Sequence, residues 1–133
     1  MRRALVPALA AALSACRLLT SDFRLAGSVD VSPPLRDRAA RSNATLFVVA
    51  ENEGGVPVAV LRIVNPQFPA EFKMGSEDLL VPALRRGERL KVHAEMNARG
   101  DVGAPRPGDL EGDVPGVVAS GAIGVLVVLD RSR

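Results

Sequence analysis

The chain has 133 residues, with 17 Lys and Arg against 15 Asp and Glu, one Cys, one His, four Phe and neither Trp nor Tyr. That length points to one domain, and 47% hydrophobic content fills one core, which excludes a disordered chain. The basic residues are scattered, with no run longer than Arg85-Arg86 and no aromatic platform beside them, so composition argues against a nucleic-acid partner.

Met1-Arg2-Arg3 is a short positive segment, and Ala4 to Leu13 is apolar apart from Pro7. The stretch falls short of the roughly 20 residues that cross a bilayer core of about 30 Å. It reads as a secretory signal peptide over residues 1–15. The segment ends Leu13-Ser14-Ala15-Cys16, which resembles the bacterial lipobox. That resemblance implies a diacylglyceryl thioether on Cys16, cleavage in front of it, and the membrane as its partner. Small residues suit a narrow peptidase cleft, and a thiol is the nucleophile that lipid transfer requires. Arg2 and Arg3 would leave with the signal, and they account for the whole formal charge of +2. The mature domain is then neutral. Arg17, where an Asp would retain the protein at the inner membrane, directs the expectation to the periplasmic side of the outer membrane. Residues 16–24 read as a tether and residues 25–133 as the folded domain.

Leu25 to Val31 opens the domain with alternating Val29 and Val31. Ser32-Pro33-Pro34 predicts a short helical turn to about Ala40, with Ser32 as N-cap and Pro33 at the first helical position. Thr45 to Ala50 is β-branched and apolar, the pattern of a strand buried on both faces. Glu53-Gly54-Gly55 predicts a hairpin turn into a return strand from Val58 to Val64, which Asn65-Pro66 ends. Ala70, Phe72 and Met74 alternate with Glu71 and Lys73. The cleanest alternation runs from Arg89 to Asn97, placing Leu90, Val92, Ala94 and Met96 on one face and Lys91, His93, Glu95 and Asn97 on the other. An edge segment follows at Val117-Val118, and Gly124 to Leu129 reads as a central, wholly apolar strand. Short strands at spacings near ten residues predict an all-β, antiparallel immunoglobulin-like sandwich of about seven strands, with an open barrel as the other way to close it.

The chemical inventory is thin. With Cys16 committed to lipid, no thiol remains for nucleophilic, disulfide or haem chemistry. His93 falls on a polar face and reads as a solvated side chain, whereas Met74 and Met96 fall on apolar faces. Residues three apart on a strand face opposite ways, so His93 and Met96 cannot share a metal. Asp109, Glu111 and Asp113 surround Gly112 loosely like a calcium loop, but lack the remaining ligands. No catalytic residue, metal or cofactor is assigned, and an enzyme is not expected.

Taken in order, these stretches resemble a known family. Gly27-Ser-Val-Asp-Val31 with its short helix, Ala44-Thr-Leu-Phe-Val-Val-Ala50, Gly54-Gly55-Val-Pro57-Val-Ala-Val60, Leu90-Lys-Val92-His-Ala94 and Pro107-Gly108-Asp109-Leu110-Glu111-Gly112 follow the C-terminal immunoglobulin-like domain of the CycH family of c-type cytochrome biogenesis proteins. Glu51 and Glu95 depart from it, standing where that family tends to carry Arg. Family members usually add two transmembrane helices and tetratricopeptide repeats, neither of which this sequence contains. The resemblance implies a stand-alone, non-catalytic binding or assembly module in the cell envelope, accessory to cytochrome c maturation, with apocytochrome c or assembly factors as protein partners. A structural envelope lipoprotein and a metal-delivery protein using His93, Met74 or the acidic loop are the other readings. The loop Pro107, Gly108, Asp109, Leu110, Glu111, Gly112 is the expected contact surface.

Overall fold

The computed structural model describes residues 23–41 and 43–133; the expected signal peptide, Cys16 and the tether up to Asp22 lie outside the described residues. The strands are β1 (Leu25–Val31), β2 (Thr45–Glu51), β3 (Pro57–Val64), β4 (Ala70–Met74), β5 (Arg89–Asn97), β6 (Leu110–Asp113), β7 (Val118–Ala119), β8 (Val125–Leu129) and β9 (Arg131–Ser132). They form two sheets, one ordered β4-β1-β8 and the other β3-β2-β5-β6-β9, with β7 added at the start of β5. Apart from the two-residue β7 and β9, seven strands build the predicted immunoglobulin-like sandwich, but β6 forms where the sequence reads as a loop, and the expected edge segment at Val117-Val118 is only the short β7.

Each strand forms because its apolar residues recur at the period of a pleated sheet. In β5, Leu90, Val92, Ala94 and Met96 are all buried, and in β4 so are Ala70, Phe72 and Met74. They meet Leu25, Val29, Leu46, Val48, Val127 and Leu129 in one continuous core. Fully burying side chains of this size contributes roughly 1.5–3 kcal/mol each. β2 is buried on both faces, as its unbroken apolar run requires. Leu46, Val48 and Ala50 enter the core, while Phe47 and Val49 are buried on the outer side of the larger sheet.

The pairing is antiparallel except between β1 and β8, which run parallel with Val29 opposite Val127. β8 is an edge strand of the smaller sheet, not its centre, and Leu126 is 54% exposed. A continuous apolar run signals burial but does not say how many neighbours a strand has. The other flank of β8 lies against β6. A Cβ on Gly112 would sit 2.5 Å from the carbonyl carbon of Val128 and 3.0 Å from Cα of Leu129, so only glycine permits this approach. Immediately afterwards the chain changes sheets. The N–H of Asp130 donates to the carbonyl of Glu111 at 3.0 Å, and β9 pairs with β6.

Two boundaries differ from the sequence pattern. Phe23, placed in the tether, is 4% exposed and packs in the core, so the domain starts there. The predicted turn is a 3-10 segment, Pro33–Leu35, leading into α1 (Arg36–Arg41). Pro33 opens it as expected, but the Ser32 side chain makes no capping bond, and its carbonyl accepts from the N–H of Leu35 at 2.9 Å.

Candidate functional site

The loop expected to make contacts is largely a clamp on the domain's own C-terminus. Arg99, just after β5, donates from Nη1 and Nη2 to the two carboxylate oxygens of Asp109, each at 3.0 Å. Asp109 also accepts from the backbone N–H of Arg106 at 2.9 Å, closing the intervening turn. These donors, the Arg99 guanidinium first, hold the Asp109 carboxyl below the usual range, against the opposing effect of its burial. The N–H of Gly108 donates to the carbonyl of Arg133 at 2.8 Å, and the N–H of Arg133 donates back to the carbonyl of Asp109 at 2.9 Å. Gly108 takes φ +99°, a conformation that favours glycine. Of the six residues read as a loop, Leu110, Glu111 and Gly112 belong to β6; Pro107 and Gly108 are exposed, Glu111 is half-buried, and Asp109, Leu110 and Gly112 are buried. The Gly and Asp in this loop are therefore accounted for by backbone closure and ion pairing.

A cleft of about 630 Å³ lies on the outer face of the larger sheet. Directly opposed residues share a face, so the register places Phe47 beside Glu95 and Glu111, and Val49 beside His93 and Asp113. Glu51 stands opposite Lys91 one step further along. Val49, Val102, Pro105, Val114 and Val117 give the cleft its apolar surface. The segment after β5 folds back over this face, where Gly100 approaches the Arg62 guanidinium and the Thr45 hydroxyl. Asn97 fixes that return, its Oδ1 accepting from the N–H of Arg99 at 3.0 Å and of Gly100 at 2.9 Å.

The ionisable groups in the cleft form a graded set. His93 Nδ1 lies 3.5 Å from Glu51 Oε1, and both side chains are about a quarter exposed, so His93 is not the freely solvated residue its strand position predicts. Glu111 and Asp113 are engaged by Arg133 Nε at 2.6 Å and Arg131 Nη2 at 2.8 Å. Glu95 differs from them. Its Oε1 is buried with no hydrogen-bond partner among the described residues. Burial is the main cause that pushes its carboxyl above the usual range, with Glu111 and Asp109 adding to it and His93 and Arg99 opposing. Glu51 and Glu95, the two departures from the family pattern, thus both line the cleft.

The residues proposed for metal delivery do not converge. Met74 is 1% exposed in the core, His93 is on the opposite side of the larger sheet, and Asp109 is held by Arg99. Among the described residues no three His, Cys, Asp or Glu side chains are grouped so as to hold a metal ion. The cleft was not legible from strand alternation, because its walls come from loops that fold back over a face read as solvated. One signal did exist. The double-sided burial of Thr45 to Ala50 requires a cover on the outer face, and the loop after β5 supplies it.

Residues 25–130 match the family described as the cytochrome c-type biogenesis protein H Ig-like domain, which is almost the whole described domain. The chain is also 32% identical over 87 residues to an uncharacterized protein of Aquifex aeolicus (strain VF5), covering 65% of this chain and 57% of that protein. The chain therefore spans little more than half the length of that relative. No solved structure matches it.

Proposed function

The chain belongs to the family of cytochrome c-type biogenesis protein H Ig-like domains, and from that premise we propose that it is a non-catalytic binding module of c-type cytochrome assembly. In this reading Cys16 carries the lipid, the domain stands on the periplasmic side of the envelope, and the outer membrane holds it. The partner is a protein, either apocytochrome c or a factor that handles it. The single observation carrying the proposal is the family match over residues 25–130.

The outer-face cleft supplies the contact. Its apolar surface at Val49, Val102 and Pro105 gives area to bury, and Glu51, Glu95 and His93 give sign and register. Cores of protein interfaces combine these elements, an apolar centre with a few desolvated polar groups. Tethering by lipid would raise the effective concentration of partners on the same membrane, so modest affinity suffices. The test is photo-cross-linking from a probe at Val117, on the cleft rim, in intact membranes. The expected adduct is a c-type cytochrome precursor or an assembly factor. Adducts with abundant envelope structural proteins alone would replace this reading with that of a structural lipoprotein.

A further inference from the structure

We propose that the end of the sandwich that carries Phe23 and Arg24 is a docking surface for an anionic phospholipid membrane, so that the domain sits on the bilayer in one orientation. The inference rests on the reading of a membrane-tethered chain, but its groups are all in the folded domain. Backbone bonds tie this end together. The N–H of Gly121 donates to the carbonyl of Arg24 at 2.7 Å, and the N–H of Ser120 donates to the carbonyl of Glu88 at 2.8 Å. Glu88 in turn closes the turn that carries Arg85, Arg86 and Gly87, its N–H donating to the Arg85 carbonyl at 3.1 Å.

Charge and exposure at this end fit a lipid headgroup layer. Glu53 is engaged by Arg89 at 3.0 Å, and the Glu88 carboxylate accepts from the backbone N–H of Arg85 at 3.1 Å. The Asp78 carboxylate accepts from the N–H of Gly75 at 2.9 Å, which leaves Glu77 as the exposed carboxylate of this end with no ion pair among the described residues. Arg24, Arg85 and Arg86 are exposed and make no ion pair among the described residues. Ile123, in the loop that Gly121 and Ala122 tie to Arg24 and Ala26, is 77% exposed, the highest value of any large apolar side chain described. An apolar side chain flanked by unpaired cations is the pattern of an interfacial membrane contact.

The position of the chain argues for the same occupant. Phe23, the first described residue, is anchored in the core next to Arg24 at this end. Cys16 and Arg24 are eight positions apart, a reach of at most about 27 Å at roughly 3.4 Å per residue. A lipid on Cys16, or an apolar segment retained before it, therefore delivers this end to the surface ahead of the opposite end, where the chain finishes at Arg133. The cleft is then left facing along the membrane, open to a partner.

Hydrogen exchange on the full chain, with vesicles containing 30% phosphatidylglycerol and with purely zwitterionic vesicles, tests the proposal. The amides of Arg86, Gly87, Ile123 and Gly124 donate to no group among the described residues, so they report contact directly. The expected result is at least fivefold slower exchange at these four amides on anionic vesicles alone. The slowing is lost at 0.5 M salt, and in both Arg85→Glu/Arg86→Glu and Ile123→Asp, while the β5 amides stay protected as in the parent. Equal exchange on the two vesicle types, or protection confined to the cleft, overturns the proposal. Mass spectrometry of Cys16 in the same sample reports separately on the anchor. An unlipidated Cys16 would refute the tether while the four amides still decide the surface.

Discussion

Replacing Gly112 by Ala is the sharpest test of how the loop from Pro107 to Gly112 works. An added Cβ would stand 2.5 Å from the carbonyl carbon of Val128 and 3.0 Å from Cα of Leu129, where carbon contacts settle near 3.5–4.0 Å. The Val128 carbonyl oxygen stands nearer still, and all these obstacles are backbone, so β6 and β8 must separate by more than about 1 Å. Forcing an extra carbon into a packed site costs about 1–3 kcal/mol. The separation also strains the bond from Asp130 N–H to the Glu111 carbonyl, now 3.0 Å, whose net contribution is about 1 kcal/mol. The expected loss is about 3 kcal/mol. For a domain of this size that lowers the melting temperature by about 12 °C or more. Gly54→Ala is the control, since its Cβ would meet only the Asn52 side chain at 3.3 Å and its backbone is not left-handed. Calorimetry on the two variants and the parent decides the matter. A Gly112→Ala protein melting within about 2 °C of the parent would refute the close approach of β6 to β8.

The two perturbed carboxylates predict opposite responses to pH. Asp109 is held below its ordinary value of 3.8, so its contribution is present above that value and is lost as pH falls through the lower folded value. Asp109→Asn should melt lower than the parent at pH 7 and lose less on acidification, as followed by circular dichroism. Glu95 is raised above 4.5, so its protonated form stabilises the fold below that value, and the benefit is lost as pH rises through the higher folded value. Glu95→Gln should therefore melt above the parent at pH 8, with the difference closing by pH 4; an equal melt at both pH values would contradict the burial argument. Cys16→Ala should abolish incorporation of labelled fatty acid and release the domain from membranes on fractionation.

Much of the fold was readable because β-strands carry their face assignment in a period of two. Leu90, Val92, Ala94 and Met96 declare the core side of β5 without help from the rest of the chain. Long-range pairing was not readable in this way. Nothing local in Val125 to Leu129 says that its partner is β1, running parallel, or that the chain changes sheets at Asp130. The clamp was hidden for the same reason. Asp109 looked like a possible ligand until its partner Arg99, ten residues earlier, was brought to it by the returning loop. Glu51 and Glu95 were noticed as departures from a family pattern, but their shared location depends on the register of β2 with β5.

Function rests on whether this domain serves cytochrome assembly. The direct measurement is the haem-stained c-type cytochrome content of membranes from the source organism, with the coding sequence deleted and then restored. Total haem and cytochrome transcript levels are held as controls. The account predicts a fall in covalently haem-bearing cytochrome c that the parent sequence restores and a chain charge-reversed at Glu51 and Glu95 does not. An unchanged cytochrome c content in the deletion strain would contradict it.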